Sequence, residues 1–106
     1  MNYSIEDSSA FIKLDGELDH HTLRGIIGGM YDIIDTYLPK TLVIDMGGIR
    51  FMDSSGLALV IGGSRRMKEL GGKLVIRDVP PQPLKVLSAV GVSRFAVIEN
   101  TGRLAR

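Results

Sequence analysis

Asp53, Ser54, Ser55 and Gly56 place a carboxylate and two hydroxyls after a strand-like run, Leu42-Val43-Ile44-Asp45-Met46, and at the start of a helical pattern that begins near Ser54. Aspartate and serine side chains accept hydrogen bonds from the unpaired N–H groups of a helix's first turn, so these residues read as an N-cap. Two adjacent serines exceed what one cap needs. At least one hydroxyl is expected at the surface, at the positive end of a helix dipole, where added phosphate is electrostatically tolerated. The chemistry this spacing supports is a reversible switch.

A serine hydroxyl can also act as a nucleophile, here with His20 or His21 as base. The G-x-S-x-G elbow is absent and no oxyanion-hole sequence can be identified, which argues against a hydrolase. Glu17, Asp19, His20 and His21 form a second polar cluster. Adjacent histidines point in different directions on most backbones, and without i, i+4 spacing between them or a third ligand a two-histidine metal site is not expected. Taken as residues alone, the cluster is a polar loop in which Asp19 or Thr22 caps a helix. Gly28-Gly29, Gly47-Gly48 and Gly62-Gly63 lack the lysine and spacing of a phosphate-binding loop.

These residues need a scaffold, and the pattern supplies one. Tyr3 to Glu6 and Ala10 to Leu14 alternate around Asp7-Ser8-Ser9 and predict a hairpin, with Asp15-Gly16 closing its second strand. Leu23, Ile26, Ile27, Met30, Ile33, Ile34 and Tyr37 recur at helical spacing, and Leu38-Pro39 stops that helix. Gly25, Gly28 and Gly29 weaken it by up to ~1 kcal/mol each relative to alanine. Thr41 to Asp45 is a buried strand, and Gly47-Gly48 a turn. A helix from about Ser54 to Leu70 is expected to turn Leu57, Val60, Ile61 and Met67 inward and to end at Gly71-Gly72. Lys73 to Arg77 is the next strand. Pro80, Pro81 and Pro83 lead into a short helix with Leu84, Leu87 and Val90 on one side, Gly91 ends it, and Phe95 to Ile98 is the last strand. Residues 100–106 are expected to be a weakly ordered tail. The order ββαβαβαβ predicts an α/β fold, with a mainly parallel sheet, an antiparallel N-terminal edge hairpin and helices mostly on one face.

Composition narrows the function classes. A chain of 106 residues is one domain, 1–106, with room for its own core. Its net charge of +1 lacks the basic excess of a nucleic-acid binder. No cysteine is present, so disulfides and thiolate metal sites are excluded. The N-terminus has no basic start followed by an apolar run, and no apolar stretch nears the ~20 residues that span a bilayer, so a cytoplasmic location without membrane contact is expected.

Two segments carry a resemblance over roughly Tyr3 to Ile98. Phe51-Met52-Asp53-Ser54-Ser55-Gly56-Leu57 resembles the phosphorylation motif of bacterial anti-sigma-factor antagonists of the SpoIIAA type, members of the STAS domain family. Leu14-Asp15-Gly16-Glu17-Leu18-Asp19-His20-His21-Thr22 resembles that family's L-x-G-E-L-D-H-H-T segment. The resemblance implies a non-enzymatic binding module with the same α/β layers. It implies phosphorylation at Ser54, with Glu17, Asp19, His20, Asp53, Ser55 and Gly56 as partner-binding residues. Implied partners are an anti-sigma factor that is itself a serine kinase, and a serine phosphatase. ATP and Mg²⁺ then belong to the kinase, and this chain needs no cofactor. The D-H-H-T segment points to the sporulation branch. Where the family often continues Gly-Leu-Gly, this chain has Gly56-Leu57-Ala58. A STAS scaffold or ligand sensor, in a stressosome-like assembly or beside a transporter, is the alternative.

Overall fold

Parallel strands need long crossovers, and in this chain each crossover contains a helix. A computed structural model describes residues 1–102. Strands β1 (Asn2–Glu6) and β2 (Ser9–Leu18) pair antiparallel, and then β3 (Thr41–Met52), β4 (Lys73–Arg77) and β5 (Val97–Glu99) join in parallel. The spatial order equals the chain order, β1-β2-β3-β4-β5. Successive right-handed crossovers in one direction put α1 (His20–Tyr37), α2 (Leu57–Glu69) and α3 (Pro81–Ala89) on one face.

Side-chain alternation gives that face its core. One rung runs Ile12, Ile44, Ile76, Ile98 across four strands, and Ala10, Leu42 and Leu74 form the next. Leu23, Met30 and Ile34 from α1, Leu59, Val60 and Met67 from α2, and Leu87 from α3 close over the buried part of these rungs. On the opposite face Val43 and Val75 are buried without joining this core. On that face the Arg77 guanidinium lies 5.6 Å from the Phe11 ring, reaching across β3, and 2.6 Å from Glu99.

The structure corrects several expectations. Asp15-Gly16 does not close β2, and Gly47-Gly48 is not a turn, because both pairs lie within continuing strands. Register shifts between Lys13 and Asp15 and between Gly16 and Glu17 each give β3 one extra residue, the signature of a bulge. Glycine is required at position 48, where a Cβ would lie 2.8 Å from that of Asp15. In α2, Leu59 and Gly63 face inward and Ile61 is exposed. Gly63 admits the Met30 sulfur, which would stand 3.0 Å from a Cβ there, so this side of the helix turns towards α1. Leu84 is exposed, while Pro83 and Leu87 carry the packing of α3. Phe95 follows a 3₁₀ turn at Val92–Arg94, so the last strand begins at Val97. Tyr37 is exposed and packs on Tyr3 with ring centroids 6.2 Å apart. Within the expected loose tail, Thr101 is tied to the buried Asp78 through its N–H (2.7 Å) and its hydroxyl. The remainder of that tail, 103–106, lies outside the described residues.

Candidate functional site at the ends of two parallel strands

Strands β2 and β3 finish side by side, with Leu18 opposite Met52. The next residue on each is an extended aspartate that caps the helical turn after it. Asp19 accepts hydrogen bonds from the His21 N–H (2.9 Å) and the Thr22 N–H (3.0 Å), and its own N–H donates to the Thr22 hydroxyl oxygen (3.2 Å). This is a capping box with threonine as the reciprocal partner. The Thr22 N–H, with further help from the His21 N–H and the Thr22 hydroxyl, holds the Asp19 carboxyl below the usual aspartate range. The Thr22 hydroxyl also meets the Glu17 carbonyl at 2.8 Å, securing the loop from both ends.

Asp53 repeats the device one strand over. Its carboxylate accepts from the Ser55 N–H (2.8 Å) and its carbonyl from the Gly56 N–H (3.0 Å). These bonds wind Ser54–Gly56 into a 3₁₀ turn, so α2 starts at Leu57 rather than at Ser54. The Asp53 N–H donates to the Leu18 carbonyl (3.2 Å), stitching the two loops together. Sequence-distant motifs thereby become neighbours.

Within the turn, Ser54 is exposed, Ser55 is half-buried and Gly56 is buried. Among the described residues no hydrogen bond engages the Ser54 hydroxyl, which stands free at the head of the turn. Ala58, the departure from Gly-Leu-Gly, is exposed on the first turn of α2. Phe51, on the outward side of β3, is 45% exposed, a large apolar surface close to the serine.

Around this point the charges are solvated. Glu17 and Arg50 approach to 4.0 Å with both side chains exposed, an arrangement that contributes little to stability. His20 and His21 sit on the first turn of α1 with rings edge-to-face, 5.7 Å apart, rather than splaying apart. Neither ring bonds to Ser54 among the described residues, nor does any group of three or more acidic or histidine side chains there form a cluster that could hold a metal. The geometry can present a hydroxyl and change its charge.

Sequence reasoning missed one contributor. The Gln82 side chain, on the first turn of α3, pairs with both backbone groups of Met52. Its only signal was the Pro81-Gln82-Pro83 triplet, which fixes the backbone around one polar side chain.

Residues 2–105 match the STAS domain family. The chain is 31% identical over 87 residues to an anti-sigma F factor antagonist of Paenibacillus polymyxa, covering 82% of this chain and 74% of that one. The chain belongs to the STAS domain family. A second anti-sigma F factor antagonist, from Lysinibacillus sphaericus, is 33% identical to this STAS protein over 81 residues, 76% of its length and 69% of the relative's. Among solved structures, the unphosphorylated form of the anti-sigma factor antagonist SpoIIAA superposes with a TM-score of 0.80 at 26% identity, covering 92% of this chain and 85% of that one. The phosphorylated form of the Bacillus cell fate determinant SpoIIAA gives 0.70 at 27% identity, covering 92% and 90%. An anti-sigma-factor antagonist (STAS) domain protein from Planctomyces limnophilus shares the fold at 0.83 and 21% identity, covering 98% and 92%. This STAS protein is thus of the anti-sigma-factor antagonist type.

Proposed function

We propose that this chain is a phosphorylation-controlled binding protein, not an enzyme, that antagonises a kinase-type anti-sigma factor. The observation that carries the reading is the Ser54 hydroxyl, exposed and unbonded on a turn held by Asp53. The unphosphorylated protein binds the anti-sigma factor, and the sigma factor is released. Glu17, Asp19, His20, Asp53 and Ser55 form the docking surface around the serine, and the buried Gly56 supports the turn from beneath.

In the complex, the Ser54 oxygen attacks the γ-phosphorus of an ATP held with Mg²⁺ by the kinase. The bond to ADP breaks and the hydroxyl proton leaves to the kinase's base. A serine phosphatase returns the hydroxyl by hydrolysis. This chain supplies the acceptor and no cofactor. It acts in the cytoplasm, in sporulation, without touching nucleic acid or membrane.

The added phosphate carries about −1.5 to −2 charges. The helix dipole favours it by roughly 0.3–1 kcal/mol, and the Asp53 carboxylate opposes it by a similar order, so the fold survives. A partner that buries Ser54 meets an unpaired dianion instead. A loss of ~3 kcal/mol at that contact exceeds a hundredfold in affinity, enough for a switch.

The test is incubation with a purified kinase-type anti-sigma factor and ATP, followed by phosphosite mapping and a binding measurement. Phosphate on Ser54 with loss of binding is the expected result. Phosphate on another residue overturns the reading.

A further inference from the structure

The turn bearing Ser54 is held from a side that no strand covers. Pairing between β3 and β4 ends at Asp45 and Arg77, while β3 runs on to Met52. Beyond Asp45 the exposed ladder side of β3 needs another partner for its N–H and C=O groups. At Met52 that partner is a side chain. The Met52 N–H donates to Gln82 Oε1 at 2.8 Å, and Gln82 Nε2 donates to the Met52 carbonyl at 2.8 Å. The amide thus replaces one peptide of a missing strand, and the paired bonds fix which end is oxygen, since a flipped amide would set N–H against N–H.

Successive residues of a strand direct their backbone groups to opposite sides. Met52 is held by Gln82, and the following residue, Asp53, is held by the Leu18 carbonyl of β2 at 3.2 Å. The two residues preceding Ser54 are therefore gripped from opposite sides. The grip is rigidly mounted. Gln82 lies on the first turn of α3 between Pro81 and Pro83, whose rings fix φ, and Pro83 is buried.

We infer that Gln82 is a positioning residue for the Ser54 switch: it sets the end of β3 so that the hydroxyl is presented in one orientation to an incoming phosphoryl group. The inference rests on Ser54 being the acceptor, as proposed above. In-line transfer depends steeply on the placement of the attacking oxygen, so a looser β3 end slows the reaction more than it weakens docking.

Two variants test this. Gln82→Met keeps the length of the side chain and removes both bonds, while Gln82→Glu can still accept from the Met52 N–H but faces the Met52 carbonyl with another oxygen. Amide hydrogen exchange, which needs no kinase, is expected to show protection at Met52 falling about tenfold in Gln82→Met while Ile44 in the same strand is unchanged, the equivalent of ~1.4 kcal/mol of local opening. Phosphorylation of Ser54 should lose about tenfold in kcat with KM for the protein within about threefold, and Gln82→Glu should lie between this variant and the native protein. Protection lost equally at Ile44 and Met52 would mean a general loss of stability and would overturn the positioning role. So would a native kcat in Gln82→Met, or unchanged exchange at Met52. Should Gln82→Met fail to fold, an intermediate kcat and selective exchange at Met52 in Gln82→Glu uphold the inference, and native values overturn it. If the native protein itself takes no phosphate on Ser54, the functional reading fails with everything built on it; a phosphorylated native protein beside an equally fast variant sinks the Gln82 assignment alone.

Discussion

Met52 and Gly56 are packed so closely that a Cβ on Gly56 would stand 2.4 Å from Met52 Cγ and 2.6 Å from its sulfur. Met52 is fully buried, and Cγ lies near the backbone, so the clash cannot be relieved by swinging the chain's end. Gly56→Ala is therefore expected to cost about 1–3 kcal/mol, the usual range for overpacking. Urea denaturation should show a lower midpoint at unchanged slope. A midpoint equal to that of the native protein would show that the turn has slack.

Ser54 is exposed and its hydroxyl takes part in no bond of the described fold, so replacing it should leave stability alone. Ser54→Ala is expected to bind the anti-sigma factor persistently and to accept no phosphate. Ser54→Asp should fold normally yet bind more than about a hundredfold more weakly. Calorimetric titration with the purified kinase checks both. Full affinity in Ser54→Asp would refute exclusion by charge, and failure of that variant to fold would refute an intact scaffold.

Asp19 links the start of α1 to pH. Its carboxyl titrates below the usual aspartate range because the Thr22 and His21 N–H groups favour the charged form. The stabilisation is fully present above the unfolded-state value of about 4, and it is lost as pH falls through the lower folded value. Asp19→Asn retains a capping oxygen without the charge. The native protein should be the more stable of the two at neutral pH, with the gap closing in denaturation curves taken below about pH 4. A gap that widens in acid would contradict the assignment.

The helix α1 carries avoidable flexibility. A Cβ at Gly25 or Gly28 would meet nothing within 4 Å. Gly25→Ala and Gly28→Ala should each stabilise the protein by up to about 1 kcal/mol, with a higher Tm by calorimetry. Gly29 differs, since a Cβ there would lie 2.6 Å from the Met1 methyl, and its substitution should gain less.

Periodicity and caps make most of this architecture legible in the chain itself. Leu23 to Ile34 marks α1 because one helical face is apolar, and Asp19 and Asp53 are legible because aspartate before a helix has one common use. The features that escape a sequence reading depend on neighbours remote along the chain. Glycine usually signals a turn, so the bulge at Gly47-Gly48 is invisible without knowing how closely β2 lies against it. The phase of α2 is misjudged at Ile61 because a 3₁₀ turn precedes it and Met30 seeks out Gly63. Gln82 escapes because a side chain standing in for a strand leaves no periodic trace.

The two bulges also act as a measuring device. Each adds one residue to β3 relative to β2, and side chains alternate sides with every residue. Removing a single glycine at 47 or 48 would not simply shorten the overhang; it would invert everything downstream, driving Phe51 into the interior and Met52 out into water. The outward aim of the serine is thus counted out in backbone units some way before the serine itself.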